Sequence, residues 1–409
     1  MGDGGSSQVC KSRSPTFQSS PPAWSACSIV SGWATGAGFS YGPGATLVFA
    51  NASGSYGVGD HAYWPASGGP PNVNVSGSGG ITMNVARTVP GLFQTAATVN
   101  NGGNLTLSGT CMINAGGWFA SSPVYSGYPD LVYKTGYNVS NEWTSGTSVG
   151  VGVPWKVAID PGSGTSAVVT MPNSDRTCPG TLTILSGRFL LNASSGDLYV
   201  GGDWSRSGGY FQPNNRAVFF NGTGAAPQMV SAPGGETFDW LGVGHALGIG
   251  LGNDVTVNNT LWLNSGKVYT GANKLVIGTA GSISGAGAGR YVYGNLEKPI
   301  NVSGGSASQT FEIGDASIYA PVSLNFPGTA SVGGSVLAKT TAGDHPQIGT
   351  SDLDGARTAN RYWSFTNNGV GFSSYDATYN FDATDVDGGA NTSDFVVRRH
   401  DGSAWNSTT

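Results

Sequence analysis

The chain has 409 residues and a formal net charge of −5, yet only 10% of its residues are charged, against roughly a quarter in ordinary soluble domains. That balance offers no basic footprint for nucleic acid, and without an apolar run long enough to cross a bilayer no membrane span is expected. Glycine supplies 67 residues and glutamate only Glu142, Glu236, Glu297 and Glu312, which disfavours long helices, while 38% hydrophobic content with 11 Trp, 16 Tyr and 16 Phe supports an ordered, turn-dense all-β fold.

In chain order, residues 1–40 carry Pro15, Pro21, Pro22 and many serines around one short apolar patch, Cys27 to Val30, and read as an extended N-terminal arm. The opening Met1-Gly2-Asp3 is not followed by a basic and then an apolar segment, so a signal peptide is expected to be absent or already removed. The cysteines Cys10, Cys27, Cys111 and Cys178 fit neither zinc nor haem spacing. Cys10 with Cys27 is the candidate disulfide, worth on the order of 3 kcal/mol by loop closure. Cys178 takes the place that Val89 holds in an internal repeat, which predicts a buried, small apolar role.

That repeat runs from Tyr56-Gly57-Val58 through Tyr63-Trp64 to Met83 and Arg87-Thr88-Val89-Pro90-Gly91. Its second copy runs from Tyr137-Asn138-Val139 through Glu142-Trp143 to Met171 and Arg176-Thr177-Cys178-Pro179-Gly180. A further match links Thr181-Leu182 with Thr260-Leu261 and Leu198-Tyr199-Val200 with Leu275-Val276-Ile277. Val255, Val257, Leu261 and Leu263 share one parity, the signature of strands with one buried face.

Two architectures fit short strands at this spacing: a parallel β-helix, or solenoid, and a string of antiparallel sandwiches. Small-residue corners with few hairpin signals favour a solenoid-like repeat region over residues 41–300. Beyond Leu296 the strands lengthen and Asp-Gly pairs enter at Asp354, Asp387 and Asp401, predicting an antiparallel β-sandwich over residues 301–409 that is one or more strands short.

The run Phe219 to Gly224, with Gly252 to Val257, Leu261 to Lys267 and Leu275 to Gly278, is similar to strand-repeat units of large bacterial cell-surface proteins. Asn360 to Trp363 and Arg399 to Trp405 resemble the sandwich module that follows such repeats. The resemblance implies export, a β-solenoid-like fold, an extracellular or cell-surface location and a part in adhesion, matrix or appendages. It also implies a C-terminal sorting domain, which these residues do not contain.

Asp382, Asp385, Asp387, Asn391 and Asp394 alternate oxygen ligands around a glycine turn, so calcium held by Asp385, Asp387, Asn391 and Asp394 is one reading. The other is a solvated turn whose side chains bond their own backbone. His61, His245, His345 and His400 show no paired spacing, and Asp160, Asp175, Asp203, Asp239 and Glu236 sit in no catalytic motif, so neither catalysis nor a cofactor is expected. Trp64, Trp143, Trp155, Trp204, Trp240 and Trp262 serve either coil-on-coil packing or, lined up on one face, stacking on surface glycans. Ten Asn-x-Ser/Thr sequons occur, from Asn51 to Asn406, most of them expected by chance in so Asn-, Ser- and Thr-rich a chain.

The expected function is therefore an exported structural subunit of an extracellular filament or surface appendage, self-associating head to tail by strand exchange through the N-terminal arm. A carbohydrate-binding or carbohydrate-degrading surface protein is the alternative.

Overall fold

The computed structural model describes residues 41–408 and the backbone of the strand Ala26–Ile29. The Cys10 and Cys27 pairing and the rest of the 1–40 arm lie outside the described residues. The fold is all-β, a parallel β-solenoid of about 12 turns with antiparallel sheets near its C-terminus and 3% helix. The solenoid expectation therefore holds over tandem sandwiches. The chain forms two compact units, Met1–Ala167 and Val168–Thr409.

In the first unit one parallel ladder runs through Ala26–Ile29, Thr46–Phe49, Asn72–Val75, Leu92–Thr95, Thr110–Ile113, Asp130–Tyr133 and Lys156–Ile159. Two shorter ladders join Tyr56–Val58, Ile81–Met83, Thr98–Asn100 and Trp118–Phe119, and Arg87–Val89, Leu105–Leu107 and Val124–Tyr125. The coils that begin at Asn72, Leu92 and Thr110 contribute three short strands each, one to every ladder, and the others fewer. Because the pairing is in register, equal positions stack: Leu47, Val73, Phe93, Cys111, Leu131 and Val157 form one buried column, and Phe49, Val75, Thr95, Ile113, Tyr133 and Ile159 the next. Thr95 is the polar exception in that second column, and its hydroxyl is satisfied by the Ala97 carbonyl at 2.6 Å.

The second unit repeats the device. Cys178, Val200, Phe220, Val243 and Leu263 stack in register and are fully buried. Some strands here turn a corner through a bulge and resume pairing beyond it, as in Val255–Leu263, where Val255, Val257, Leu261 and Leu263 face inward on either side of Asn258 and Asn259. Cys111 and Cys178 are buried, and Cys178 fills the same inward role as Val89. The repeat seen in the sequence is likewise spatial in kind: Met83 and Met171, Arg87 and Arg176, and Trp64 and Trp143 are all buried. Arg87 hands its Nε hydrogen to the Trp64 carbonyl at 2.6 Å and meets Asp60 at 2.8 Å, which makes burial of a guanidinium tolerable.

Pairing changes direction on Val292–Ile300. This strand lies parallel to Val268–Ile277 and antiparallel to Gly334–Ala342, which in turn pairs antiparallel with Arg361–Asn368. A second antiparallel sheet joins Ala307–Phe311, Val322–Phe326 and Asp376–Tyr379.

Since a column position touches its neighbours above and below, Leu131→Ala should lower unfolding free energy by about 2–5 kcal/mol. The outward Gln94→Ala, two rungs away, should change it by less than about 0.5 kcal/mol. Chemical denaturation of both variants checks the inward and outward assignment.

Candidate functional site

The rule that stacks inward residues also stacks outward ones. In the second unit the outward column next to the buried one runs Thr177, Tyr199, Phe219, Gly242, Trp262 and Ser284. Tyr199 and Phe219 stack with ring centroids 5.0 Å apart and planes 13° from parallel. Phe219 then reaches across a rung to Trp262, at 5.6 Å and 5°. Gly242 makes that reach possible, because a Cβ there would lie 2.1 Å from Phe219 Cδ1. Trp240, two residues before Gly242 on the same face, stacks on Trp262 at 5.1 Å and 18°. Aromatic carbons touch at about 3.5–4 Å, so these separations describe slipped rings, overlapping like shingles, each leaving part of a face uncovered. All four rings are half-buried.

A polar flank locks this strip. Trp240 Nε1–H donates to Asn215 Oδ1 at 3.0 Å, and Asn259 Nδ2 donates to the same oxygen at 2.8 Å. Asp239 accepts from the Asn215 backbone N–H at 2.6 Å and from Asn258 Nδ2 at 2.9 Å. Asn214 and Asn215 hold the left-handed conformation at φ 51° and 58°, which asparagine tolerates better than most residues when its neighbours fix it. Burial, followed by the nearby Asp175 and Asp197 carboxylates, raises the pKa of Tyr199 and keeps its hydroxyl protonated.

The six tryptophans singled out from sequence therefore divide. Trp64, Trp143 and Trp204 are fully buried packing residues. Trp155 packs edge-on against the exposed Tyr128 at 5.1 Å. Only Trp240 and Trp262 join the outward strip, together with Tyr199 and Phe219, which sequence reasoning missed. Their strict alternation with Val200, Val218 and Phe220 was the available signal.

The proposed calcium ligands are otherwise engaged. Asp385 is buried and binds Arg361 through both oxygens, at 2.8 and 2.9 Å, and Arg361 also pairs with Asp315. Asp387 accepts from the Thr358 backbone at 2.8 Å and from Asn360 Nδ2 at 2.7 Å. Asn391 caps the short turn Thr392–Asp394 and donates to Asp394 at 3.0 Å. Among the described residues no three His, Cys, Asp or Glu side chains converge to hold a metal. The same holds for the carboxylates weighed for catalysis: Asp160 pairs with Lys134, Glu236 with Arg206, and Asp203 accepts from the Met229 backbone. His345 and His400 do meet, at 5.0 Å beside Trp405, but each Nδ1 already accepts a backbone hydrogen, from Gln347 and Gly402.

The first unit holds one buried acid without a cation beside it. Glu142 is fully buried and accepts from Tyr133 Oη at 2.8 Å, Tyr137 Oη at 3.1 Å and the Ser140 backbone at 2.9 Å, while Tyr125 Oη donates to its carbonyl at 2.9 Å. In the earlier repeat Tyr63 stands in its place beside Trp64 and bonds Tyr56 at 2.9 Å. Burial raises the pKa of Glu142, and the three donors, which favour the carboxylate, only partly offset it.

No protein-family model, curated protein or solved structure matches the chain.

Two expectations follow from these sites. Gly242→Ala should displace the Phe219 ring, lower stability by about 1–3 kcal/mol and weaken the near-ultraviolet circular dichroism of the stacked rings; an unchanged spectrum would show that the stack does not need the gap. The folded state holds the Glu142 proton more tightly than the unfolded chain does, so this group's contribution falls as pH rises from the ordinary carboxylate range through the raised value, then levels. Glu142→Gln should accordingly gain on the wild type as pH increases from about 4 to about 8 in paired denaturation curves.

Proposed function

We propose that the chain is an exported structural subunit of an extracellular filament or surface appendage, its antiparallel C-terminal region ending the solenoid in a sandwich-like module. The observation that carries the reading is how the few charges are spent. Of the sixteen lysines and arginines among the described residues, Arg87, Lys134, Arg206, Arg216, Lys274, Lys298, Arg357, Arg361 and Arg398 pair with carboxylates of the same chain, while Lys156, Arg188, Lys339 and Arg399 are exposed. What faces outward between them is mostly serine, threonine, asparagine and glycine, tied into short ladders such as Ser55 with Thr82 and Asn100. A surface so quiet electrically sets little like-charge repulsion against close contact between copies. The sequence resemblance to cell-surface strand repeats points the same way.

Strand exchange through the N-terminal arm requires Ala26–Ile29 to leave its parallel register on Thr46–Phe49 and add to the open edge of the C-terminal sheet of the next copy. Negative-stain microscopy of the purified chain should show filaments, and deleting residues 1–36 should leave monomers. Monomers from both preparations would overturn the filament reading, and filaments from both would remove the arm from it.

A further inference from the structure

We infer that the strip formed by Tyr199, Phe219, Trp262 and Trp240 binds a neutral polysaccharide, an activity independent of whether the chain polymerises. The slipped stack offers a row of partly open aromatic faces, the surface on which the C–H face of a pyranose ring packs. Beside the rings, Asn258 and Asn259 each give one amide hydrogen to the flank and have a second to offer a sugar hydroxyl, while each Asp239 oxygen, accepting one hydrogen from the flank, keeps a lone pair to accept another. Aromatic faces edged by planar amide and carboxylate groups match a ligand whose own surface alternates apolar C–H patches with hydroxyls.

Charge decides the class of glycan. Asp239 lies at one end of the strip and Asp175 and Asp197 near Tyr199 at the other, and Asp197 is the partner of Arg216. An acidic polysaccharide would meet this carboxylate-lined border at a cost, whereas a neutral one would not. The site is also preorganised. Trp240 is pinned through its indole nitrogen, Asn215 is held by contacts to both Asp239 and Trp240, and Phe219 is seated over Gly242, so little ordering remains to oppose binding.

The test is retention of the whole chain on insoluble cellulose and chitin and its retardation in gels containing a soluble neutral β-glucan, with polygalacturonate as the acidic comparison. Wild type should bind at least one neutral polymer, and raising NaCl to about 0.5 M should leave binding unchanged. Trp262→Ala and Trp240→Ala should each weaken binding about tenfold or more, while Trp118→Ala, an exposed tryptophan of the first unit, should not. Melting curves confirm that the variants fold, and Trp262→Phe, which keeps a ring, should retain part of the affinity if the alanine variant does not fold. The inference fails if no neutral polymer retains the wild type, if the strip variants bind as well as it does, or if polygalacturonate is preferred. It also fails if the variants change only sedimentation, which would assign the strip to contact between copies. Filament formation is scored separately by microscopy, so either outcome there leaves this test readable.

Discussion

Parallel, in-register hydrogen bonding between successive coils is the constraint from which the rest of the molecule follows. Each rung satisfies its backbone N–H and C=O groups on the rungs above and below, and this forces residues at equal positions into columns. A column tolerates any residue that fits between its two neighbours. Cys111 can therefore sit between Phe93 and Leu131, and Thr95 can enter an apolar column once its hydroxyl finds the Ala97 carbonyl. Glu142 enters the interior with its bonds supplied by tyrosine hydroxyls and Trp204 by donating to Glu236 at 2.8 Å, whereas the buried indole nitrogen of Trp64 has no hydrogen-bond partner among the described residues.

The outward columns obey the same geometry under looser terms, and there the molecule has room for function. Over most of the surface the stacked residues are small and uncharged. At Tyr199, Phe219 and Trp262 they are aromatic, and the one missing side chain, at Gly242, is what lets alternate rungs touch. Stability and recognition draw on the same stack: the contacts that hold the rings in place also set how much of each face stays open.

The fold class was legible because parity survives in sequence. Val255, Val257, Leu261 and Leu263 announce an inward face, and small-residue corners set the solenoid apart from hairpins. The length of one coil was less legible, since an inward position asks only for a residue of suitable size and so leaves no identity to match from coil to coil. The similarities that could be seen, Trp64 with Trp143 and Arg87 with Arg176, join positions several coils apart where a buried tryptophan or guanidinium imposes specific partners. The candidate site was half visible. Tryptophans were suspected as a group, but which faced outward depended on register, and the contribution of Gly242 depended on two rungs lying on either side of it. The acidic segment at Asp385 shows the converse: within a ligand-like spacing, both Asp385 oxygens are bound by Arg361 and those of Asp387 by Thr358 and Asn360, partners that no local motif could reveal.

The reversal of direction on Val292–Ile300 bears on how such a molecule limits its own size. A parallel rung is a template that would accept another identical rung without end, which is the growth habit of amyloid. Along Leu296–Ile300 this rung receives Gly334–Ala342 head to foot, a strand that no further coil can imitate, and only its Val292–Tyr293 end keeps a parallel partner, the two-residue strand Ile313–Gly314. Coil-by-coil elongation along that stretch thus stops at a set count, and it is stopped by the chain's own topology instead of by charge.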